Sequence, residues 1–129
     1  MNDFQLSKNF NLKEFQCTTD NPVVILDPKL IDKLQKLRDR LGVPLHVNSG
    51  YRTSEFNKSI GGYEYSKHMK GQAADISMNN IKLSIETIKD LCVTIGFSGI
   101  GLYNTHIHVD VGEYNNPNME SYHFWDYRK

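Results

Sequence analysis

The chain has 129 residues, enough for one domain with a single modest core, and the whole span 1–129 is read as that domain. Its 15 basic and 15 acidic side chains cancel at a sequence pI near 7.0, so no whole-chain field draws it to nucleic acid or to an anionic membrane. The two cysteines, Cys17 and Cys92, are neither CxxC-spaced nor numerous enough for a disulfide framework, and both are expected as buried thiols.

Taken in chain order, Met1-Asn2-Asp3-Phe4-Gln5 lacks a basic region and a continuous apolar segment, and nowhere is an apolar run long enough to span a bilayer. This predicts a soluble chain made in the cytoplasm without a signal peptide and without membrane insertion. Asn9 to Phe15 suggests a short docking helix with an asparagine cap. Asp27-Pro28 offers an N-cap and a proline at the first helical position. Leu30, Leu34, Leu37 and Leu41 then line one face of an amphipathic helix that ends at Gly42. Val43 to Val47 reads as a short strand, Asn48 to Thr53 as a turn, and Ser54 to Ser59 as a second helix broken by Gly61-Gly62. Gln72 to Ser77 is small and apolar enough for a buried strand carrying Asp75. A third helix is predicted from about Lys82, with Ile81, Ile85, Ile88, Cys92 and Ile95 inward, before Gly96. Gly99 to Tyr103 and His106 to Val111 read as a hairpin turning at Asn104. The remainder, rich in Asn and Tyr and ending in His123-Phe124-Trp125-Asp126-Tyr127, shows no period.

The chemistry concentrates in Ser66-Lys67-His68-Met69-Lys70-Gly71-Gln72-Ala73-Ala74-Asp75 and in His106-Ile107-His108. A strand alternates faces, so His106, His108 and Asp110 project from one side while Ile107, Val109 and Val111 enter the core. His68 and Asp75 converge if the chain turns tightly between them, which Gly71 permits. A His/Asp/His set is one zinc site's worth of ligands. Three protein ligands leave a fourth position for water, the arrangement of a hydrolytic rather than a structural zinc.

Ser-x-His-x-x-Gly-x-Ala-x-Asp, the Ser49-Gly50-Tyr51-Arg52 turn before it and the His108-Val109-Asp110 strand after it resemble the zinc D-Ala-D-Ala carboxypeptidase family. That family includes phage endolysin peptidases and shares its site with the Hedgehog signalling domain. The three motifs stand in the family's order. Asn9 to Phe15 and Gly61-Gly62 extend the likeness over roughly residues 8 to 112. The resemblance makes His68, Asp75 and His108 the ligands of a Zn2+ ion. It gives Arg52 a substrate carboxylate or the scissile carbonyl to bind, a task suited to a guanidinium fork. Ser66 then hydrogen-bonds substrate or steadies the loop, and Tyr65, with Tyr63, is placed for substrate contact; Gln72 is a weaker lining candidate. Many relatives carry an acidic residue three before the last histidine ligand. Here Thr105 stands there, so the general base falls to His106, with Asp110 the competing candidate or an orienting group behind an imidazole. His46 and His123 have no motif support. Trp125, Tyr122 and Tyr127 either wall a groove or close the core.

The expectation is an α+β domain in which a small antiparallel sheet carries the zinc site on one face and packs against helices on the other. The resemblance implies hydrolysis of a peptidoglycan stem-peptide bond, D-Ala-D-Ala or L-Ala-D-Glu, by a monomer. The missing signal suits a phage or prophage lytic enzyme released onto the bacterial cell wall. The alternative is a non-catalytic zinc-dependent binding module of the same fold, for which Thr105 speaks; a weaker third reading is a metal-dependent amidase for another small peptide.

Overall fold

The computed structural model describes residues 3–17, 24–114 and 122–129. Its helices begin and end where capping chemistry dictates. Helix α1 (Pro28–Leu41) opens on Asp27, whose carboxylate accepts from the Lys29 amide at 2.9 Å, and closes at Gly42 in the left-handed conformation. Leu30, Leu34 and Leu37 are fully buried on its inner face. Helix α2 (Ser54–Ser59) is capped by Thr53. Helix α3 (Ile85–Ile95) starts three residues later than the periodicity predicts, because the Ser84 hydroxyl accepts from the Thr87 amide and fixes the first turn there. Near the N-terminus a hairpin of β1 (Gln5–Ser7) and β2 (Phe10–Asn11) leads into a 3-10 turn over Leu12–Phe15. That turn is the expected docking segment. Its capping box pairs Asn11 with Glu14, and Phe15 is buried.

The main sheet has strand order β3-β4-β6-β5-β7, built from β3 (Val47–Ser49), β4 (Ala73–Ser77), β5 (Gly99–Leu102), β6 (His106–Asp110) and β7 (His123–Asp126). All neighbours run antiparallel except β5 and β7, which are parallel. The expected strand over 43–47 is therefore displaced. Pro44 has no N–H to give a ladder, and pairing with β4 begins only at Val47 opposite Ile76. Asn48 and Ser49 lie on that strand, and the turn begins at Gly50. Strand β7 lies in the segment expected to be an aperiodic tail; residues 115–121 of that tail lie outside the described residues.

Alternation along the strands divides the sheet into two faces. Ala74, Ile76, Ile100, Leu102, Ile107 and Val109 point into one core with Ile88 and Cys92 of α3 and the leucines of α1. Both Cys17 and Cys92 are buried free thiols, as expected. The opposite face carries a row across the strands, Ser49–Asp75–His108–Gly101–Trp125, set by register. Gly101 is required in that row, since a Cβ there would run into the Trp125 indole. Gly101→Val is expected to cost about 1–3 kcal/mol through overpacking. It should also shift the emission of the chain's single tryptophan, with thermal unfolding and fluorescence as the readouts.

Candidate active site

The polar face of the sheet forms the floor of a cleft of about 1020 Å3 whose lining includes Arg52, His68, Asp75, His106 and His108. His68 reaches it from a 3-10 turn over Lys67–Lys70 that Gly71 ends at φ 67°, a left-handed position where a Cβ would also strike the Ile25 carbonyl. Six residues therefore suffice to bring the loop histidine over the strand aspartate. Asp75 Oδ1 lies 3.2 Å from His68 Nε2 and 3.1 Å from His108 Nδ1. One donor atom from each of these three residues falls within 4.8 Å of the others, close enough to enclose a metal ion.

The remaining ring nitrogens set the tautomers. His68 Nδ1 donates to the Gly50 carbonyl at 2.7 Å, which leaves Nε2 as its free lone pair facing the cluster. His108 Nε2 lies 2.7 Å from Asp110 Oδ2, leaving Nδ1 for the cluster. Two imidazoles and a carboxylate directed at one point are donors that suit zinc, and each ligand has an outer partner that holds its ring or carboxyl in place.

Asp110 sits behind His108, fully buried. Its oxygens also receive the Gly112 amide and the Tyr114 hydroxyl. It is not among the residues that line the cleft, and its contact with His108 suits the second of its two expected roles, orienting an imidazole. Burial tends to raise the Asp110 carboxyl, but the hydrogen bond and charge of His108 bring it below the ordinary value. Asp75 follows the same balance. Its burial opposes ionisation, yet bonds and charge from His108 and His68 hold the carboxyl well below the carboxylate range.

For His108, burial disfavours the cation, but bonds to Asp110 and Asp75 outweigh it and push the ring up to about 9. The metal-free protein thus carries a protonated His108 at neutral pH. Because the folded value lies above that of an unfolded imidazole, near 6.5, its stabilising contribution is complete below that pH and disappears as pH rises through about 9. A metal ion must displace that proton. Zinc uptake at pH 7.5 is therefore expected to release a proton, with affinity rising roughly tenfold per pH unit until near pH 9. Titration calorimetry in buffers of different ionisation enthalpy counts the proton.

Arg52 spends each of its three nitrogens on the protein: Nε donates to Ser49 Oγ at 3.0 Å, one terminal nitrogen to Asn57 Oδ1 at 3.2 Å and the other to Asp75 Oδ2 at 3.1 Å. Asn57, almost fully buried, also donates to the Tyr63 carbonyl at 2.8 Å. Sequence reasoning missed it, since an asparagine in a short helix carries no signal of its own. His106 lines the cleft, stacked on Tyr103 with ring centroids 4.4 Å apart, and its Nδ1 lies 3.2 Å from Thr105 Oγ1. Burial lowers its pKa despite the opposing charge of Asp75, so the ring is neutral at pH 7. Ser66 is the cap of the 3-10 turn, its hydroxyl accepting from the His68 amide. It steadies the loop and also borders the cleft. Tyr63 and Tyr65 stand exposed on the rim as an edge-to-face pair. Gln72 points elsewhere, donating to Asp27 at 3.2 Å.

Strand β7 brings the C-terminal aromatics to the site. Trp125 packs 4.9 Å from the His108 ring and donates to the Tyr103 hydroxyl. His123 stacks on Tyr114 at 4.6 Å. With Tyr127 they wall the cleft, while Tyr122 packs against the core. His46 is exposed beside a separate small hollow.

Comparison with known proteins points the same way. Over 101 residues the chain is 34% identical to the peptidoglycan L,D-endopeptidase MepK of Escherichia coli K12, an alignment covering 71% of this chain and 54% of MepK. The same values hold for the protein of that name in Shigella flexneri. A shorter stretch of 45 residues is 44% identical to the zinc D-Ala-D-Ala carboxypeptidase of Streptomyces albus G, covering 34% of this chain and 18% of that enzyme. The chain spans about half the length of the MepK proteins it matches. The donor set and these relatives together bear out zinc as the cofactor. The family model for peptidase M15 matches residues 8–110, which include Arg52, His68, Asp75 and His108, and the chain belongs to that family.

Proposed function

We propose that this chain is a zinc-dependent endopeptidase of peptidoglycan that hydrolyses the internal L-Ala-D-Glu bond of the stem peptide. The observation that carries the reading is the convergence of His68, Asp75 and His108 on the floor of a wide cleft, in a chain of the M15 family. Two features favour an internal bond over the terminal D-Ala-D-Ala bond. The cleft, at about 1020 Å3, slightly exceeds the roughly 300–1,000 Å3 typical of small-molecule pockets, giving room for chain on both sides of a bond. Arg52, the candidate for gripping a terminal carboxylate, is already engaged by Asp75.

In this reading His68, Asp75 and His108 hold the zinc ion. When bound, the ion supplies a Lewis acid that acidifies water and polarises the scissile carbonyl. His106, neutral and cleft-facing, accepts the proton of the attacking water and returns it to the leaving amine. Arg52 holds Asp75 in place and turns its remaining N–H groups to the substrate carbonyl. Asp110 orients His108. Ser66 and Tyr65 border the bound peptide. We read the chain as acting on the bacterial wall as a monomer and a single domain, in a phage or prophage lytic setting. Among the described residues no helix is long and apolar enough to cross a membrane.

Digestion of purified peptidoglycan by the zinc-loaded protein, with mass spectrometry and an EDTA control, tests the reading. New amino termini on D-glutamate are the expected product. Free D-alanine would name a carboxypeptidase, and intact muropeptides with zinc bound would favour the non-catalytic module, for which the hydroxyl of Thr105 in place of a carboxylate speaks.

A further inference from the structure

Lys67, between Ser66 and His68, stands out among the cations of the cleft. Its methylenes lie across Gly112, where a Cβ would collide with them, and its ammonium sits 4.8 Å from the centroid of the Tyr114 ring. The stem is therefore held and the charge aimed before any ligand arrives, so little side-chain entropy is left to lose on binding. Arg52, by contrast, has a carboxylate partner in Asp75. Among the described residues no carboxylate forms an ion pair with Lys67: its ammonium lies over the Tyr114 face, and Glu113, which lines the same cleft, forms no pair with it. A pre-positioned ammonium beside His68, in a cleft read as a peptide site, lacks an anion among the described residues.

We propose that Lys67 is a specificity-determining residue that pairs with a free carboxylate on the residue flanking the scissile bond. In a stem peptide whose D-glutamate is linked through its side chain, this is the α-carboxylate. The inference rests on the peptidase reading above and adds to it a choice between acidic and amidated stem peptides. An ammonium–carboxylate contact in a partly desolvated cleft discriminates against the neutral amide, which loses the charge-assisted bond.

The test compares kcat/KM of the zinc-loaded protein on two synthetic stem peptides that differ only in this α-carboxylate, free in one and amidated in the other. The expected result is a preference of about tenfold for the acid, carried mainly by KM. In Lys67→Met the ratio should fall to about one, and Lys67→Arg should restore it, with melting temperature as the control for folding. A purely structural lysine would alter both substrates alike and leave the ratio unchanged. Equal cleavage of both peptides by the wild type, or a ratio that survives Lys67→Met, overturns the role of Lys67 while leaving the peptidase intact. Cleavage of neither peptide overturns the peptidase reading and this inference with it.

Discussion

Replacing Asp75 with alanine is expected to abolish zinc retention and hydrolysis together. One carboxylate oxygen sits between the two imidazoles, and the other receives Arg52, so a single side chain organises both the donor set and the guanidinium. Its loss leaves buried cations and rings facing one another without their anion. Breaking a buried charge network from one side typically costs about 3–5 kcal/mol. The metal-free variant should therefore melt below the metal-free wild type as well as failing to bind zinc. Asp75→Asn keeps the shape and separates the two effects: much of the fold stability should return while zinc stoichiometry stays near zero. Metal analysis after gel filtration and thermal unfolding with and without EDTA give both readouts. A variant that keeps stoichiometric zinc would remove Asp75 from the ligand set.

The second large effect concerns His106. His106→Ala is expected to lower kcat by about 10²- to 10⁴-fold, the usual weight of a general base, with zinc content unchanged because the ring lies outside the donor cluster. The pH profile adds an independent check. Burial places the His106 pKa below the ordinary 6.5, so the neutral base persists on acidification and activity is lost only as pH falls through that lowered value. This acid limb should vanish in the variant. Residual cleavage at the wild-type rate would show that the base lies elsewhere.

The cluster of His68, Asp75 and His108 was legible in the sequence because its motifs are local. His68 and Asp75 share one contiguous motif, and the alternation of β6 names His108's face. Helix α1 was legible for the same reason, with its cap, proline, leucine stripe and terminal glycine all in order. What escaped reading depends on partners far away along the chain. Strand β7 has side chains that alternate only between half-buried and exposed, and its pairing with β5 is parallel and non-local, so no periodicity marks it. Its consequence, Trp125 and His123 in the cleft wall, was hidden with it. Asn57 acquires its role only when Arg52 and the Tyr63 carbonyl meet around it. Asp110 resembles a cleft residue by alternation alone, until Gly112 and Tyr114 are seen closing over it.

The row Ser49–Asp75–His108–Gly101–Trp125 has a kinetic consequence. Its members come from five strands whose order in the sheet differs from their order in the chain, and His108 reaches Asp75 only after β4 and β6 have paired across the intervening helix and strand. Such long-range pairing is slow relative to helix formation. In the reading proposed above, a zinc ion that needs His108 as well as His68 and Asp75 would meet all three donors only in a chain that has already closed its sheet. A nascent or partly folded molecule would then lack the complete donor set, and the proposed hydrolysis would switch on as one of the last events of folding.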